Sequence, residues 1–273
     1  MTFLDSLLEA GRRNRSLLCV GLDPSARKLP AAVRSAADPI YTFCLAIVEA
    51  TADLVCAYKP NIAFFEALGP AGIETLRRLI ADRPRNVPII LDAKRGDMGS
   101  TAEAYAEAVF ERLGADAVTL NPYLGSDALA PFLRHADKGC IVLCKTSNPG
   151  SAELQELELA GGGPLYLEVA RRARDDWNGN GNVGLVVGAT YPGVLAQVRE
   201  LCPAMPLLVP GVGAQGGELA AATRAAIDSR GERAIISASR SILYASDGAD
   251  FAEAARQEAL RLRDEINGER LSV

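Results

Sequence analysis

Histidine occurs once in the 273 residues, as His135. A structural zinc site takes four Cys, His or carboxylate ligands in tetrahedral order, so one histidine leaves poor material for it. Cys140 and Cys144 do not repair this, because both stand inside the apolar run CIVLCK. No structural metal is therefore expected. Nor is there a run of 18 apolar residues, the length that argues for a membrane span. The opening MTFLDSLLEAGRRNRS carries both signs of charge and no uninterrupted apolar core, so it reads as a short amphipathic helix and not as a secretion signal. Basic excess is absent too: the formal charge is −5, and phosphate-backbone binding needs a concentrated basic surface, so no nucleic-acid partner is expected. Cys19, Cys56, Cys140 and Cys144 lie in apolar strand-like runs. Such cysteines behave as reduced core residues, which points to the cytoplasm. A dinucleotide fingerprint of the G-x-G-x-x-G kind does not follow any early strand, which weighs against an open doubly wound sheet.

What is present is a regular alternation. Apolar residues make up 49% of the chain, enough for a sizeable core. Short apolar runs at 17–21, 54–59, 88–94, 116–122, 140–146, 183–190, 206–211 and 234–239 read as strands buried on both faces, as parallel sheets are. Amphipathic stretches at 38–53, 61–81, 99–113, 125–136, 163–177, 191–200, 214–229 and 248–268 read as the helices between and after them. Eight βα units argue for an α/β protein of the (β/α)8 barrel class, as one domain over 1–273 with an N-terminal helical extension. The segment 147–163, SNPGSAELQELELAGGG, is expected to be a long, loose excursion after the fifth strand.

In such barrels function sits at the C-terminal ends of the strands. There the sequence places Asp23, Lys59, Asp92, Lys94, Asn121, Lys145, Ser147, Thr190, Pro210 and Arg240. Strand side chains alternate, so Asp92 and Lys94 share a direction, and Lys59 and Asp23 close the two preceding strands. Four alternating charges can hold one another ionised and fixed in rotamer. The plainer alternative is a set of ion pairs capping the barrel. Asp97 precedes the helix expected at 99–113, where an acidic residue ordinarily serves the helix N-terminus.

LDAKRGDMGSTA, residues 91–102, resembles the Asp-x-Lys-x-x-Asp signature of orotidine 5′-phosphate decarboxylases, with Met98 where a β-branched residue is more usual. VGLDP (20–24), YKPNIAFFEALG (58–69), TLNPYLG (119–125), KTSNPG (145–150), VGATYP (187–192), VPGVGAQGG (209–217) and SASRSILYA (237–245) resemble the family at matching places. Their wording is most similar to its larger, bacterial-type (type 2) branch. The resemblance implies a TIM barrel of the ribulose-phosphate-binding type that converts orotidine 5′-phosphate to UMP and CO2, the last step of de novo UMP synthesis, without a cofactor. It implies that Lys94 stabilises and protonates the C6 carbanion, that Asp92 faces the substrate carboxylate, that Lys59 bridges Asp92 and the ribose, and that Asp23 holds a ribose hydroxyl. It further implies that Ser147 reads the pyrimidine, that Gln215 spans pyrimidine and phosphate, and that Pro210, Gly216 and Arg240 line the phosphate. Asp97, with Thr101 beside it, is implied to reach into a neighbouring subunit's site, which requires a homodimer.

The phosphate side also has support from the residues themselves. PGVGAQGG follows a strand and opens a helix, where glycines let backbone N–H groups approach an anion, and Arg240 can make paired bonds to phosphate. Rival readings remain. A Schiff-base aldolase also wants a lysine near a strand end, but it needs a lowered lysine pKa, and flanking aspartates oppose that. A phosphosugar synthase or epimerase shares the signature and often uses Mg2+. A UMP-binding barrel without catalysis is the non-enzymatic alternative.

Overall fold

The computed structural model describes residues 1–212 and 216–270, the side chains of 216–218 excepted. Eight strands form one parallel sheet: β1 Leu18–Leu22, β2 Ala57–Pro60, β3 Ile90–Arg95, β4 Ala117–Leu120, β5 Gly139–Lys145, β6 Val183–Val187, β7 Leu207–Pro210 and β8 Ala234–Ala238. The helices are α1 Phe3–Arg13, α2 Pro39–Thr51, α3 Ala63–Glu66, α4 Pro70–Asp82, α5 Gly99–Glu107, α6 Ser126–Leu133, α7 Ala152–Gln155, α8 Leu165–Arg172, α9 Pro192–Leu201, α10 Gly216–Ala226, α11 Arg240–Leu243 and α12 Phe251–Arg270. The strand order runs β2-β1-β8-β7-β6-β5-β4-β3. Single bridges Tyr58↔Ile89 and Asn61↔Asp92 join the two remaining edges and close the TIM barrel. Two bonds serve that seam: Tyr58 N donates to the Pro88 carbonyl at 3.0 Å, and Ile62 N to the Asp92 carbonyl at 3.2 Å.

Period-two alternation sorts each strand's side chains between two cores. One set, including Val20, Tyr58, Leu91, Val118 and Val142, packs outward against the helices. The other, including Cys19, Ala57, Ile90, Ala117, Ile141, Leu208 and Ile235, fills the barrel interior. Phe3 and Leu7 of α1 join this inner cluster, so the N-terminal helix stoppers the bottom of the barrel. Its start is fixed by a capping box in which Thr2 and Asp5 exchange hydrogen bonds.

Two expectations are modified. The helical stretch at 61–81 is two helices, because Gly69 takes φ +69° and Pro70 starts α4 at its first position, where a missing N–H costs nothing. The excursion at 147–163 is built, not loose: a 3-10 turn Pro149–Ser151 and α7 lie in it, and Glu158 bridges Pro164.

Candidate active site

Two residues above the inner apolar layer the same alternation changes chemistry. Lys59 stands two beyond Ala57, Asp92 two beyond Ile90, Thr119 two beyond Ala117 and Ser237 two beyond Ile235. The barrel interior therefore turns from apolar to ionic within one pleat, at the mouth.

Asp92 is the hub. Its Oδ2 accepts from Lys59 Nζ at 3.0 Å and from Asn61 Nδ2 at 3.4 Å, and its Oδ1 accepts from Lys94 Nζ at 2.6 Å and from the Thr119 hydroxyl at 3.0 Å. Burial by itself would push the Asp92 carboxyl up, but the Lys59 and Lys94 ammonium groups outweigh it and hold the pKa down at about 2. Burial likewise works against the charge on Lys59, yet Asp92 and Asp23 raise its pKa above the ordinary value. The lysines differ in setting: the Lys59 side chain is 7% exposed and that of Lys94 49% exposed. Lys59 meets the carboxylate from within the barrel, whereas the Lys94 side chain stands in the open mouth.

A depressed carboxylate has a definite acid signature. Asp92 contributes stability above its ordinary value of 3.8 that is lost as pH falls through about 2, on the order of 2 kcal/mol. Carboxyl-carbon NMR should therefore find Asp92 still ionised at pH 3; a titration midpoint near 4 would show that the lysines do not hold it.

The other expected residues are distributed as follows. Asp23 approaches the network without bonding to it, and its buried Oδ1 has no hydrogen-bond partner among the described residues. Sequence alternation suggested a four-membered ionic network; three members are in contact. Gly21 lets β1 pack closely against the end of β8, since a Cβ there would lie 2.8 Å from that of Ser239. Ser147 sits at the mouth against Gly188, where a Cβ would meet the Ser147 Cβ at 2.8 Å. Pro210 ends β7 and its carbonyl accepts from Ala189 N at 3.0 Å. Gly216 begins α10, Arg240 is exposed at the start of α11, and Gln215 lies outside the described residues. Asp97 does not cap α5, whose N-cap is Met98; its Oδ1 accepts only from the adjacent Met98 N, at 2.8 Å, and it forms no ion pair among the described residues. Thr101 is exposed on the first turn of α5.

Three residues were not assigned from the sequence. Asn61 and Thr119 bond the Asp92 carboxylate; the step of two from Ala117 is a signal for Thr119, although Asn121 is the polar residue at the strand end. Lys145, which looked like a mouth charge, is fully buried. Its Nζ donates to the Ser151 hydroxyl at 2.5 Å, pairs with Glu156 at 2.9 Å and lies 4.4 Å from the Tyr191 ring centre. With Gln155 Oε1 accepting from Thr146 N at 2.8 Å, it ties the excursion down on either side of Ser147.

Comparison with known proteins agrees with this geometry. Residues 16–255 match the model of the orotidine 5′-phosphate decarboxylase / HUMPS family. A Roseiflexus castenholzii protein named orotidine 5′-phosphate decarboxylase is 63% identical over 267 residues, 98% of each chain. A Ralstonia pickettii protein of the same name is 55% identical over 268 residues, again 98% of each. Among solved structures, a Leishmania donovani OMP decarboxylase superposes with a TM-score of 0.88 at 44% identity, covering 100% of both chains. The UMP synthase of the same organism gives 0.89 at 46% identity, with 100% of this chain covering 57% of that one. The match over most of the chain, together with these identities, shows that this protein belongs to the orotidine 5′-phosphate decarboxylase / HUMPS family, in its bacterial-type branch.

Proposed function

We propose that this chain decarboxylates orotidine 5′-phosphate to UMP, and that it does so through the Lys59–Asp92–Lys94 network. The observation that carries the reading is the placement of Lys94: an ammonium in an open mouth, held 2.6 Å from a carboxylate that stays ionised. Cleavage of the bond between C6 and the carboxylate leaves an electron pair on C6, and the pyrimidine ring provides no easy sink for it. A fixed positive charge stabilises that pair, and the same group then gives its proton to C6. The lysine is left neutral and regains a proton from water. Asp92 faces the substrate carboxylate in this arrangement. Two like charges 4 Å apart repel by about 4 kcal/mol at an effective dielectric of 20, and the repulsion ends when CO2 leaves.

Asp23 is assigned to a ribose hydroxyl, because a buried carboxylate oxygen without a donor is costly and a hydroxyl would satisfy it. Ser239 Oγ and Ser241 Oγ are buried and unpartnered among the described residues and flank Arg240, which suits a phosphate there. Ser147 is assigned to the pyrimidine edge, and Pro210, Gln215 and Gly216 to the phosphate loop.

The active form is proposed to be a homodimer. Apart from Met1, the large apolar side chains exposed among the described residues are Phe64 and Leu68 after β2, Met98 after β3, Tyr123 and Leu124 after β4, and Leu154 and Leu157 after β5. All seven lie in the segments that follow β2 to β5, four strands adjacent in the barrel. Met98 is 61% and Tyr123 78% exposed, and a grouping of such side chains on neighbouring segments suits an interface. A second copy would cover it, and Asp97 and Thr101 lie within the same stretch of chain.

Loss of orotidine 5′-phosphate absorbance, followed with enzyme dialysed against a chelator, tests the reaction. Turnover is expected to persist. Turnover that vanishes and returns with Mg2+ would favour a phosphosugar synthase instead.

A further inference from the structure

We infer that Thr119 is a positioning residue that holds Asp92 and Lys94 in reactive geometry, an inference that rests on the roles proposed for those two. The β3–β4 ladder is out of step here. Leu91 pairs with Val118, but the next pair is Arg95 with Leu120, so β3 advances four residues while β4 advances two. The surplus forms a bulge, the device by which strands re-aim side chains beside active sites. Within it Lys94 takes φ +45°, a left-handed conformation that few residues other than glycine adopt. The Ala93 and Lys94 N–H groups turn instead to a side chain: both donate to the Thr119 hydroxyl oxygen, at 3.0 and 2.9 Å.

That hydroxyl then donates its own proton to Asp92 Oδ1 at 3.0 Å, the oxygen that also receives Lys94 Nζ. A threonine hydroxyl has one proton to give and two lone pairs to accept with, and here all three are committed. Thr119 is 1% exposed, and with its hydroxyl fully engaged no bond is left over for substrate. It therefore acts only through its neighbours. One atom from β4 fixes the backbone from which Lys94 departs and the carboxylate that Lys94 meets. A threonine suits the task because its branched Cβ is stiff in χ1 and favours a strand.

Thr119→Val keeps the shape and removes the hydroxyl. The kcat for orotidine 5′-phosphate should fall about 30-fold or more, as expected when a reacting group drifts by a fraction of an ångström, while KM stays within about threefold. Thr119→Ser, which restores the hydroxyl, should recover most of the loss. Because the carboxylate loses a donor, the acid limb of the kcat/KM profile should move to higher pH in Thr119→Val. If Thr119→Val does not yield folded protein, Thr119→Cys replaces it with the same expectations, a thiol being a weak acceptor. Wild-type turnover in the hydroxyl-free variant, an equal change in KM, or a loss that serine does not recover overturns the inference. Should Lys94→Ala itself turn over normally, the site assignment fails, whatever Thr119 does.

Discussion

Lys94→Ala is expected to abolish turnover while leaving UMP bound. Truncating an ordinary general acid lowers rates by about 10²–10⁴-fold. Here the same group also supplies the positive charge next to C6, so the loss should exceed the upper end of that range. The structure separates this effect from unfolding. The Lys94 side chain is half exposed, so alanine opens no buried cavity, and Asp92 keeps Lys59, Asn61 and Thr119 as partners. Thermal unfolding should be close to wild type. The contrast is Lys59: its side chain is buried, so Lys59→Ala removes a buried partner of Asp92 and should lower the unfolding temperature, although Lys94 stays paired with the carboxylate. A Lys94→Ala enzyme with a tenth of wild-type turnover would remove Lys94 from the chemistry.

Mixing two inactive variants should restore activity. In the proposed dimer each site combines Lys94 of one subunit with Asp97 of the other. Homodimers of Lys94→Ala, and homodimers of Asp97→Ala, then have two damaged sites each. A mixed dimer has one site lacking both groups and one with both intact, so it should approach half the wild-type activity. Free exchange makes about half the dimers mixed, and the whole preparation should reach about a quarter of the wild-type rate. The geometry of one chain motivates the test: among the described residues Asp97 bonds its neighbour's N–H alone, Lys94 bonds Asp92, and the exposed Met98 adjoins the turn. Each variant carried through the same exchange alone is the control. Mixed dimers verified by mass spectrometry yet still inactive would return Asp97 to its own subunit.

The barrel was legible because strands buried on both faces leave uninterrupted apolar runs, a signal that needs no knowledge of partners. Asp92 and Lys94 were legible for a similar reason: two charges within four residues of the apolar run VPII (87–90) have no place in a buried strand without a purpose. What escaped was set by contacts distant in sequence. The bulge that aims Lys94 depends on Thr119, and nothing local to β3 announces it. Lys145 resembled Lys59 in position at a strand end, yet the excursion folds back over it and Glu156 pairs with it, so that it fastens the excursion. Asp23 followed the same charge alternation as Asp92 but stops short of contact, because alternation gives the direction of a side chain and not its rotamer. The break between α3 and α4 was readable from Gly69 and Pro70, had the helical periodicity not run across it.

Phe3 and Leu7 have a further effect on traffic. They close the lower end of a barrel whose interior is already filled by Cys19, Ala57, Ile90, Ala117 and Ile141. Among the described residues the axis is packed with side chains, so for the proposed reaction the mouth would serve both arrival and departure. CO2 and UMP leave by the opening that admitted orotidine 5′-phosphate, and a lingering nucleotide blocks the next one. Product and substrate then exclude each other completely, and UMP should act as a purely competitive inhibitor.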